Sequence, residues 1–344
     1  MISLRDKRVL SLPLALATMM VVASCAGGAT EAPTPPPAPA DTTTGEEETA
    51  DTVGPPEKTD LVFGTQPFAE TATLHIAIQQ GFFEEEGLNV SLAEAAGGGA
   101  GLVPGLVSGD IDVIYTNYVS VLQAAQEGLP LRIIRENDRP GVQGIHSSAA
   151  SGITTPADLE GKRVGINGLG NIMELTSRAV LASYGVTDVE FVEIPPPNML
   201  AAIAEGQVDG AWLVEPFVTL GTSGDNPVVR VVSSFEGPTA NLPVAGWIVS
   251  ETFAADYPNT VAAVVRALDK AAALALSDQN VVNEVLPTFT ALSPELVPSL
   301  NPISFAETSD FTLLQQLNDL KVEFDLLNGP VDVASLIVDV PGRK

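Results

Sequence analysis

Polar side chains that can hold a small molecule follow two of the predicted strands. Gln66 and Pro67 come directly after a strand candidate that begins at Leu61. Asn117 and Tyr118 follow a later strand candidate. Amide side chains offer a hydrogen-bond donor and an acceptor, and a tyrosine ring can stack on a planar ligand. These residues are therefore candidates for ligand binding, with plain turns as the alternative interpretation.

Glycine-rich segments precede two predicted helices. The first segment contains Gly98, and the second contains Gly168 and Gly170 and continues into Asn171. Backbone amides at the beginning of a helix point outward and attract negative charge, so either segment can hold a carboxylate, a sulfonate or a carbonyl oxygen. A flexible linker is the alternative interpretation of the first segment.

Three more residues are candidates for contact with a ligand. Glu215 follows a predicted strand, and its carboxylate can accept a hydrogen bond from an amine or a ring N–H. A structural role is an equally good interpretation of this residue. Asn241 lies in the turn-rich segment 237–247. Trp247 either lines a cleft or packs beneath it.

Short apolar segments alternate with amphipathic ones from Leu61 onward, which predicts an α/β fold with a mainly parallel sheet. Residues 105–114 and 203–212 echo each other, since both read as a helix end, a glycine, a polar residue, an aliphatic residue, an aspartate and a strand. We interpret the echo as two lobes built on one βαβαβ plan, with chance similarity of common turns as the alternative. We expect crossings between the lobes near 138–148 and 237–247, which would form a hinged cleft suited to a small ligand.

The N-terminus has the pattern of an export signal. A basic start precedes the apolar segment 9–24, which is shorter than the ~20 residues of a membrane-spanning helix. Small residues precede Cys25 as in a bacterial lipobox, so we predict a signal peptide at 1–24 and lipid anchoring through Cys25 outside the cytoplasmic membrane, at the cell surface or in the periplasm. The composition of residues 25–60 predicts a disordered tether. An ordinary cleaved signal with an incidental cysteine is the alternative.

Charge and composition exclude several functions. Asp and Glu number 43 against 16 Lys and Arg, and a net charge of −27 repels the phosphate backbone of nucleic acids. A single cysteine forms no internal disulfide, and two histidines in separate segments make no zinc pattern. Met173 stands where a dinucleotide fingerprint has its third glycine. We therefore expect no metal, no cofactor and no nucleic acid.

Several segments together resemble a known family of binding proteins. The segments are Thr73–Val90, Leu106–Val113 with its SGDID stretch, Thr154–Gly165, Trp212–Phe217 and Leu242–Ala275. Their order and spacing are similar to those of the nitrate/sulfonate/taurine and thiamine-precursor substrate-binding proteins, over most of residues 61–336. The resemblance implies a type II periplasmic-binding-protein fold, with two lobes, mainly parallel sheets, two hinge crossings and an interlobe cleft that closes on ligand.

The resemblance also implies an organisation and a function. We expect lobe 1 to comprise residues 61–143 and 240–344, and lobe 2 to comprise residues 144–239. The implied function is that of the extracytoplasmic solute-binding component of an ABC importer, which delivers a small molecule to permease subunits. We expect such a protein to be a monomer without enzymatic activity.

Sparse arginines favour a neutral or nitrogen-bearing organic ligand, such as a pyrimidine. Arg132, Arg135 and Arg139 cluster near the first crossing, and no arginine lies in a loop that we assign to the cleft. An alkanesulfonate, taurine or nitrate held by helix N-termini is the alternative ligand. A pyrimidine-precursor synthase-like enzyme and a surface lipoprotein that binds another protein are the alternative functions. The enzyme would need a cysteine-rich stretch that this chain lacks.

Overall fold

The computed structural model of this chain describes residues 54–94 and 99–341. The strands are β1 (Asp60–Thr65), β2 (Asn89–Glu94), β3 (Val113–Asn117), β4 (Leu131–Asp138), β5 (Gly144–Ser148), β6 (Lys162–Ile166), β7 (Val189–Glu193), β8 (Gly210–Leu213), β9 (Val228–Ser233) and β10 (Ala245–Ser250). The helices are α1 (Ala72–Gln79), α2 (Phe82–Glu85), α3 (Val103–Ser108), α4 (Tyr118–Gln126), α5 (Ile172–Ser183), α6 (Pro196–Ala204), α7 (Phe217–Ser223), α8 (Glu251–Asp256), α9 (Pro258–Ser277), α10 (Gln279–Phe289) and α11 (Leu314–Glu323).

The strands form two five-stranded sheets of the same design. The order is β2-β1-β3-β10-β4 in lobe 1 and β7-β6-β8-β5-β9 in lobe 2. In each sheet the fourth strand, β10 or β5, pairs antiparallel with both of its neighbours. The first three strands of each sheet pair in parallel. The predicted α/β architecture with two lobes is therefore confirmed, and each sheet is mixed, with two parallel and two antiparallel pairings.

Two chain segments connect the sheets. Residues 139–143 lead from β4 into β5, and residues 234–244 lead from β9 into β10. The first crossing leads into β5 and the second into β10, and each of these is the antiparallel strand of its sheet. The lobe boundaries expected at 143/144 and 239/240 fall at the end of the first crossing and within the second.

The echoed glycines end their helices as the sequence predicts. Gly109 follows α3 with a φ of 82°, and Gly206 lies just after α6 with a φ of 69°. Side chains rarely adopt this left-handed backbone conformation, whereas glycine does so without steric cost. Both glycines therefore turn the chain toward the strand that follows.

The echoed aspartates, Asp112 before β3 and Asp209 before β8, each bond to the backbone of a neighbouring strand. The carboxylate of Asp112 accepts a hydrogen bond of 2.9 Å from the backbone N–H of Val62 and an ion pair of 2.6 Å from Lys58. The carboxylate of Asp209 accepts a bond of 2.9 Å from the N–H of Arg163, whose guanidinium lies 3.7 Å away. The same contact thus joins β1 to β3 in lobe 1 and β6 to β8 in lobe 2.

The folded body begins earlier than the sequence indicates. Residues 54–60 were assigned to the disordered tether, but Glu57 accepts hydrogen bonds from the backbone N–H groups of Asn259 and Thr260 at the start of α9. A carboxylate is stabilised at this position because the free N–H groups of a helix N-terminus attract negative charge. The predicted signal peptide, Cys25 and the rest of the tether lie outside the described residues.

None of the helices described in residues 54–94 and 99–341 has the length and apolar character needed to cross a membrane.

We predict that removing Asp112 costs more stability than removing Asp209. Asp112 is 5% exposed, whereas the side chain of Asp209 is 32% exposed. A buried charge-assisted hydrogen bond contributes about 2 kcal/mol and a half-exposed one about half as much. Urea unfolding followed by tryptophan fluorescence should therefore show a larger loss of unfolding free energy for Asp112→Ala than for Asp209→Ala.

Trp247 in lobe 1 and Trp212 in lobe 2 report on both sheets in this measurement. The exposed Asp225→Ala serves as the control and should leave the free energy of unfolding unchanged. Equal losses for Asp112→Ala and Asp209→Ala would contradict the account.

Candidate functional site

A cavity lies between the two lobes at the carboxyl ends of their strands. It encloses about 450 Å³ of space between atoms, part of it open to solvent. Lobe 1 and the crossings contribute Gln66, Phe68, Glu70, Tyr115, Thr116, Asn117, Asp138, Gln143, Val244 and Ala245. Lobe 2 contributes Asn167, Ile172, Met173, Trp212 and Val214. The carboxyl ends of strands are the usual location of ligand sites in α/β proteins.

Direct contacts between the lobes close one side of the cavity. The backbone N–H of Ala69 donates a hydrogen bond of 3.1 Å to the backbone carbonyl of Glu215. The rings of Phe68 and Phe217 meet edge to face with centroids 6.5 Å apart. These residues lie on opposite lobes, so the contacts exist only while the lobes are together.

Glu70 is a buried carboxyl group on the cavity wall. Its Oε1 accepts a hydrogen bond of 3.1 Å from Gln143, which lies in the first crossing. Its Oε2 is buried and has no hydrogen-bond partner. Burial, together with the nearby charges of Asp138 and Glu215, raises the pKa of Glu70 well above its ordinary value.

Asp138 is the second buried carboxyl group of the cavity. Its Oδ1 accepts hydrogen bonds of 2.7 Å from the Tyr115 hydroxyl and 3.3 Å from the Asn137 amide. Its Oδ2, like Oε2 of Glu70, has no partner. Burial raises the pKa of Asp138 to about 7, although the bonds from Tyr115 and Asn137 act in the opposite direction.

No lysine, arginine or histidine lines the cavity among the described residues. Arg139, the nearest arginine along the chain to Asp138, instead donates to the Glu136 carboxylate and to the Thr308 carbonyl. The two buried carboxyl groups therefore face the cavity without a balancing cation.

The remaining wall is largely apolar and aromatic. Phe68 lies on the lobe 1 side, and Trp212 and Met173 lie on the lobe 2 side. The indole N–H of Trp212 donates a hydrogen bond of 3.2 Å to the Thr176 hydroxyl oxygen. The cavity thus combines flat apolar surfaces with carboxyl groups, an arrangement suited to a planar ligand that carries N–H donors.

Two of the residues proposed from the sequence lie on the cavity wall. Gln66 donates a hydrogen bond of 3.4 Å to the Tyr115 carbonyl. Asn117 caps α4, since its side-chain oxygen accepts from the N–H of Ser120 at 2.9 Å. Pro67 does not line the wall. Instead, it occupies the turn in which the N–H of Phe68 bonds back to the Gln66 carbonyl.

Four other proposed residues lie away from the wall. Trp247 is fully buried in the core of lobe 1 because strand β10 lies between β3 and β4, and its indole N–H donates to Asn137 at 3.0 Å. Tyr118 is fully buried beside Phe311. Asn241 is an exposed residue of the second crossing. The sequence-based placement of these residues in the cleft is therefore corrected.

Glu215 is the fourth of these residues, and it joins the lobes. Its carboxylate is fully buried and accepts bonds of 3.0 Å from both the N–H and the hydroxyl of Thr219 in α7. It also accepts a bond of 2.7 Å from the Asn301 amide. Asn301 belongs to the C-terminal segment of lobe 1, which bonds along β4 through Ser304 and Ala306. The bonds from Thr219 lie within lobe 2, and the bond from Asn301 joins lobe 2 to lobe 1.

The helix N-terminus at Gly168, Gly170 and Asn171 already has carboxylate partners. The N–H of Gly170 donates to Glu174 at 2.6 Å, and the N–H of Leu169 donates to Glu193 at 2.8 Å. Asn171 caps α5 and accepts from the N–H of Met173 at 2.9 Å. None of the three lines the cavity, so the predicted anion site is occupied by the chain's own acids. Gly98 lies outside the described residues.

Glu70, Asp138 and Gln143 are the site residues that sequence reasoning missed. Asp138 marked the start of the predicted first crossing, but nothing in the sequence distinguishes it from the other charged residues of β4. Glu70 follows Gln66 by four residues, and its bond from Gln143 joins residues that are 73 positions apart along the chain. Within residues 54–94 and 99–341, no group of three or more histidine, cysteine or acidic residues is arranged to hold a metal ion.

Comparison with known proteins gives the chain a family. The profile of the NMT1/THI5-like family matches residues 69–281, which is more than half of the 344 residues. The taurine-binding periplasmic protein of Escherichia coli (strain K12) is 27% identical over 176 residues, or 49% of this chain and 52% of that protein. This chain spans about half or less of the length of the curated relatives that it matches.

Solved structures share the fold. The alkanesulfonate-binding protein SsuA from Xanthomonas axonopodis pv. citri, bound to MOPS, has a TM-score of 0.71 and 24% identity, covering 82% of this chain and 99% of that one. The desulfurization enzyme DSZB has a TM-score of 0.61 and 18% identity, covering 82% and 96%. A binding protein and an enzyme thus share this architecture. Because the family profile spans all of lobe 2 and four of the five strands of lobe 1, this chain belongs to the NMT1/THI5-like family.

Proposed function

We propose that this protein is the extracytoplasmic solute-binding component of an ABC importer. The observation that carries the proposal is the partly open cavity between two lobes that are joined by two crossings. A cavity in this position opens when the lobes separate and traps a ligand when they meet. A relative that is named for binding taurine supports the same function.

Transport would proceed in three steps. The ligand enters the open cleft, the lobes close over it, and the closed protein presents it to the permease subunits. The contacts of Glu215 with Asn301 and with Ala69 would form at closure. We further propose that the protein acts as a monomer held at the membrane by a lipid on Cys25.

A binding role fits the cavity better than catalysis. The cavity wall has no cysteine or histidine in the part of the chain that the structure describes. The one cysteine of the sequence is Cys25, which is proposed to carry the lipid. The enzyme DSZB shares the fold at 18% identity, and a likeness at this level concerns the fold alone.

The ligand that we propose is a small organic molecule that carries nitrogen, such as a pyrimidine. The free oxygens of Glu70 and Asp138 offer acceptors to its N–H groups. Taurine, alkanesulfonates and nitrate are the alternative ligands in the same fold, and they would need a cation or free amides that this cavity wall does not offer.

Thermal unfolding of the full chain tests the proposal. The compounds to screen are pyrimidines, vitamins, amines, sulfonates and nitrate. A ligand that binds only the folded state adds about 2.7 kcal/mol of stability at a hundredfold excess over its Kd. We expect a clear rise in melting temperature with one class of compound. No rise with any compound would favour a protein that binds another protein.

We predict that Asn301→Ala weakens ligand binding although Asn301 does not line the cavity. The substitution removes a charge-assisted bond of 2.7 Å to the buried Glu215 carboxylate, and this bond joins the two lobes. Loss of such a bond destabilises the closed state by about 1.4 kcal/mol, which corresponds to a tenfold weaker affinity. Isothermal titration with the stabilising compound measures the change.

The matched control is Asn280→Ala, at an exposed asparagine of α10. It should leave the affinity unchanged. If Asn301→Ala binds as tightly as the unmodified chain, the contact between Asn301 and Glu215 does not stabilise closure.

We predict that the ligand-free protein loses stability as the pH rises from 5 to 7. The pKa of Asp138 is about 7 in the folded state and near 3.8 otherwise, so between these values the folded state holds a proton that the unfolded state releases. The free energy of unfolding then falls by about 1.4 kcal/mol per pH unit until the pH reaches the folded-state pKa.

The substitution Asp138→Asn removes this pH-dependent contribution to the free energy of unfolding. Between pH 5 and pH 8, its stability relative to the unmodified chain should therefore rise by about 3 kcal/mol. Urea unfolding at the two pH values measures the difference, and Asp225→Asn, at an exposed aspartate, provides the control. A difference that is the same at both pH values would show that Asp138 does not hold a proton in the folded state.

A further inference from the structure

We propose that the cavity binds its ligand as a protonated nitrogen base, with N–H groups donating to the free oxygens of Glu70 and Asp138. This inference rests on the proposed solute-binding function. It specifies the charge of the ligand and the two residues that recognise it.

Each of the two carboxyl groups has an unfilled hydrogen-bonding position. Glu70 is 3% exposed and Asp138 is 1% exposed, and each has one oxygen that is buried without a partner. Leaving a buried polar atom unpaired costs free energy, whereas a donor supplied by a ligand removes that cost. A molecule with two N–H groups would satisfy both oxygens at once.

The charged groups around Glu70 and Asp138 are other carboxyl groups. Glu70 faces Gln143, Asp138 and the carboxylate of Glu215. Asp138 faces the Tyr115 hydroxyl, the Asn137 amide and, at greater reach, the Glu136 carboxylate. No positively charged side chain lines the cavity in the described residues. The charge that balances two carboxylates must then come from the ligand or from bound protons.

An anion is not the preferred ligand of this cavity. The amides at the start of α5 already donate to Glu174 and Glu193. A sulfonate or nitrate would have to displace these carboxylates or approach Glu70 and Asp138 directly. When these carboxyl groups are ionised, both arrangements place like charges together in a buried site, which is unfavourable.

The protonation of Glu70 and Asp138 links the affinity for a cation to the pH. Burial and mutual repulsion raise the pKa of Glu70, and burial raises the pKa of Asp138 to about 7, so the empty cavity holds protons near neutral pH. A bound cation favours the ionised carboxylates, so binding should release protons to the solvent. Affinity for a cation should therefore increase as the pH rises from 5.5 to 8.

The aromatic residues of the cavity wall favour a planar base. Phe68 and Trp212 contribute aromatic surface from opposite lobes. Aromatic rings stabilise flat cations through their negatively charged faces. An amidine or an aminated nitrogen heterocycle matches the wall better than an alkyl ammonium ion does.

Titration calorimetry with the full chain tests the proposal. The probes are the cations benzamidinium and 4-aminopyridinium, the neutral benzamide, and the anions benzenesulfonate, methanesulfonate and nitrate. We expect the cations to bind, with at least about tenfold higher affinity at pH 8 than at pH 5.5. Titrations in buffers of different ionisation enthalpy should show proton release. The neutral and anionic probes should bind at least about tenfold more weakly than benzamidinium.

Variants assign the effect to the two carboxyl groups. Glu70→Gln and Asp138→Asn should each weaken benzamidinium binding by about tenfold or more and reduce proton release. Glu193→Gln, at an exposed carboxylate outside the cavity, is the matched control and should bind normally. Thermal unfolding verifies that each variant folds.

The outcomes separate this inference from the proposed function. Binding of an anionic probe without binding of either cation would overturn the charge assignment and leave the solute-binding function in place. Equal binding by the unmodified chain and both cavity variants would also overturn it. If no probe of any charge binds, both the inference and the solute-binding function are overturned.

Discussion

The burial of two carboxyl groups in one cavity, without a balancing cation, is the constraint on which this account depends. Glu70 and Asp138 come from different parts of lobe 1, and both are buried in the folded chain. Each retains an oxygen without a partner. Folding therefore leaves an unfavourable site that a ligand of the right charge would relieve, and this links the energetics of the closed state to recognition.

The crossings place this site under the control of lobe movement. Gln143 donates to Glu70 from the first crossing, and its backbone carbonyl accepts from the N–H of Ser234 in the second crossing. Glu215 joins α7 of lobe 2 to Asn301 of lobe 1. Binding residues and interlobe contacts are therefore neighbours, so a change in the cavity can shift the balance between open and closed states.

Local sequence signals predicted the framework well. The turns at Gly109 and Gly206 need a left-handed glycine, and Asp112 and Asp209 bond to backbone within the same sheet. Such contacts involve short motifs whose geometry is repeated in both lobes. The two-lobed α/β architecture could thus be inferred from the echo of residues 105–114 and 203–212.

The site was harder to predict because its character arises between the lobes. Gln66 and Asn117 follow strands and reach the cavity as expected. The amides at Gly170 were predicted to hold an anion, yet Glu174 bonds to them, although an acid three residues after the Asn171 cap is a recognisable capping pattern. The burial of Glu70 has no signal in the sequence, because it results from contacts with residues that are far away along the chain.

The most direct test of the central claim is the distance between the lobes with and without ligand. Spin labels at Leu276→Cys in lobe 1 and Asp225→Cys in lobe 2, both exposed positions, would report this distance by double electron–electron resonance in a Cys25→Ser background. The account predicts that saturating benzamidinium shortens and narrows the distance distribution. An identical distribution in the presence and absence of bound benzamidinium would contradict a cavity that closes on its ligand.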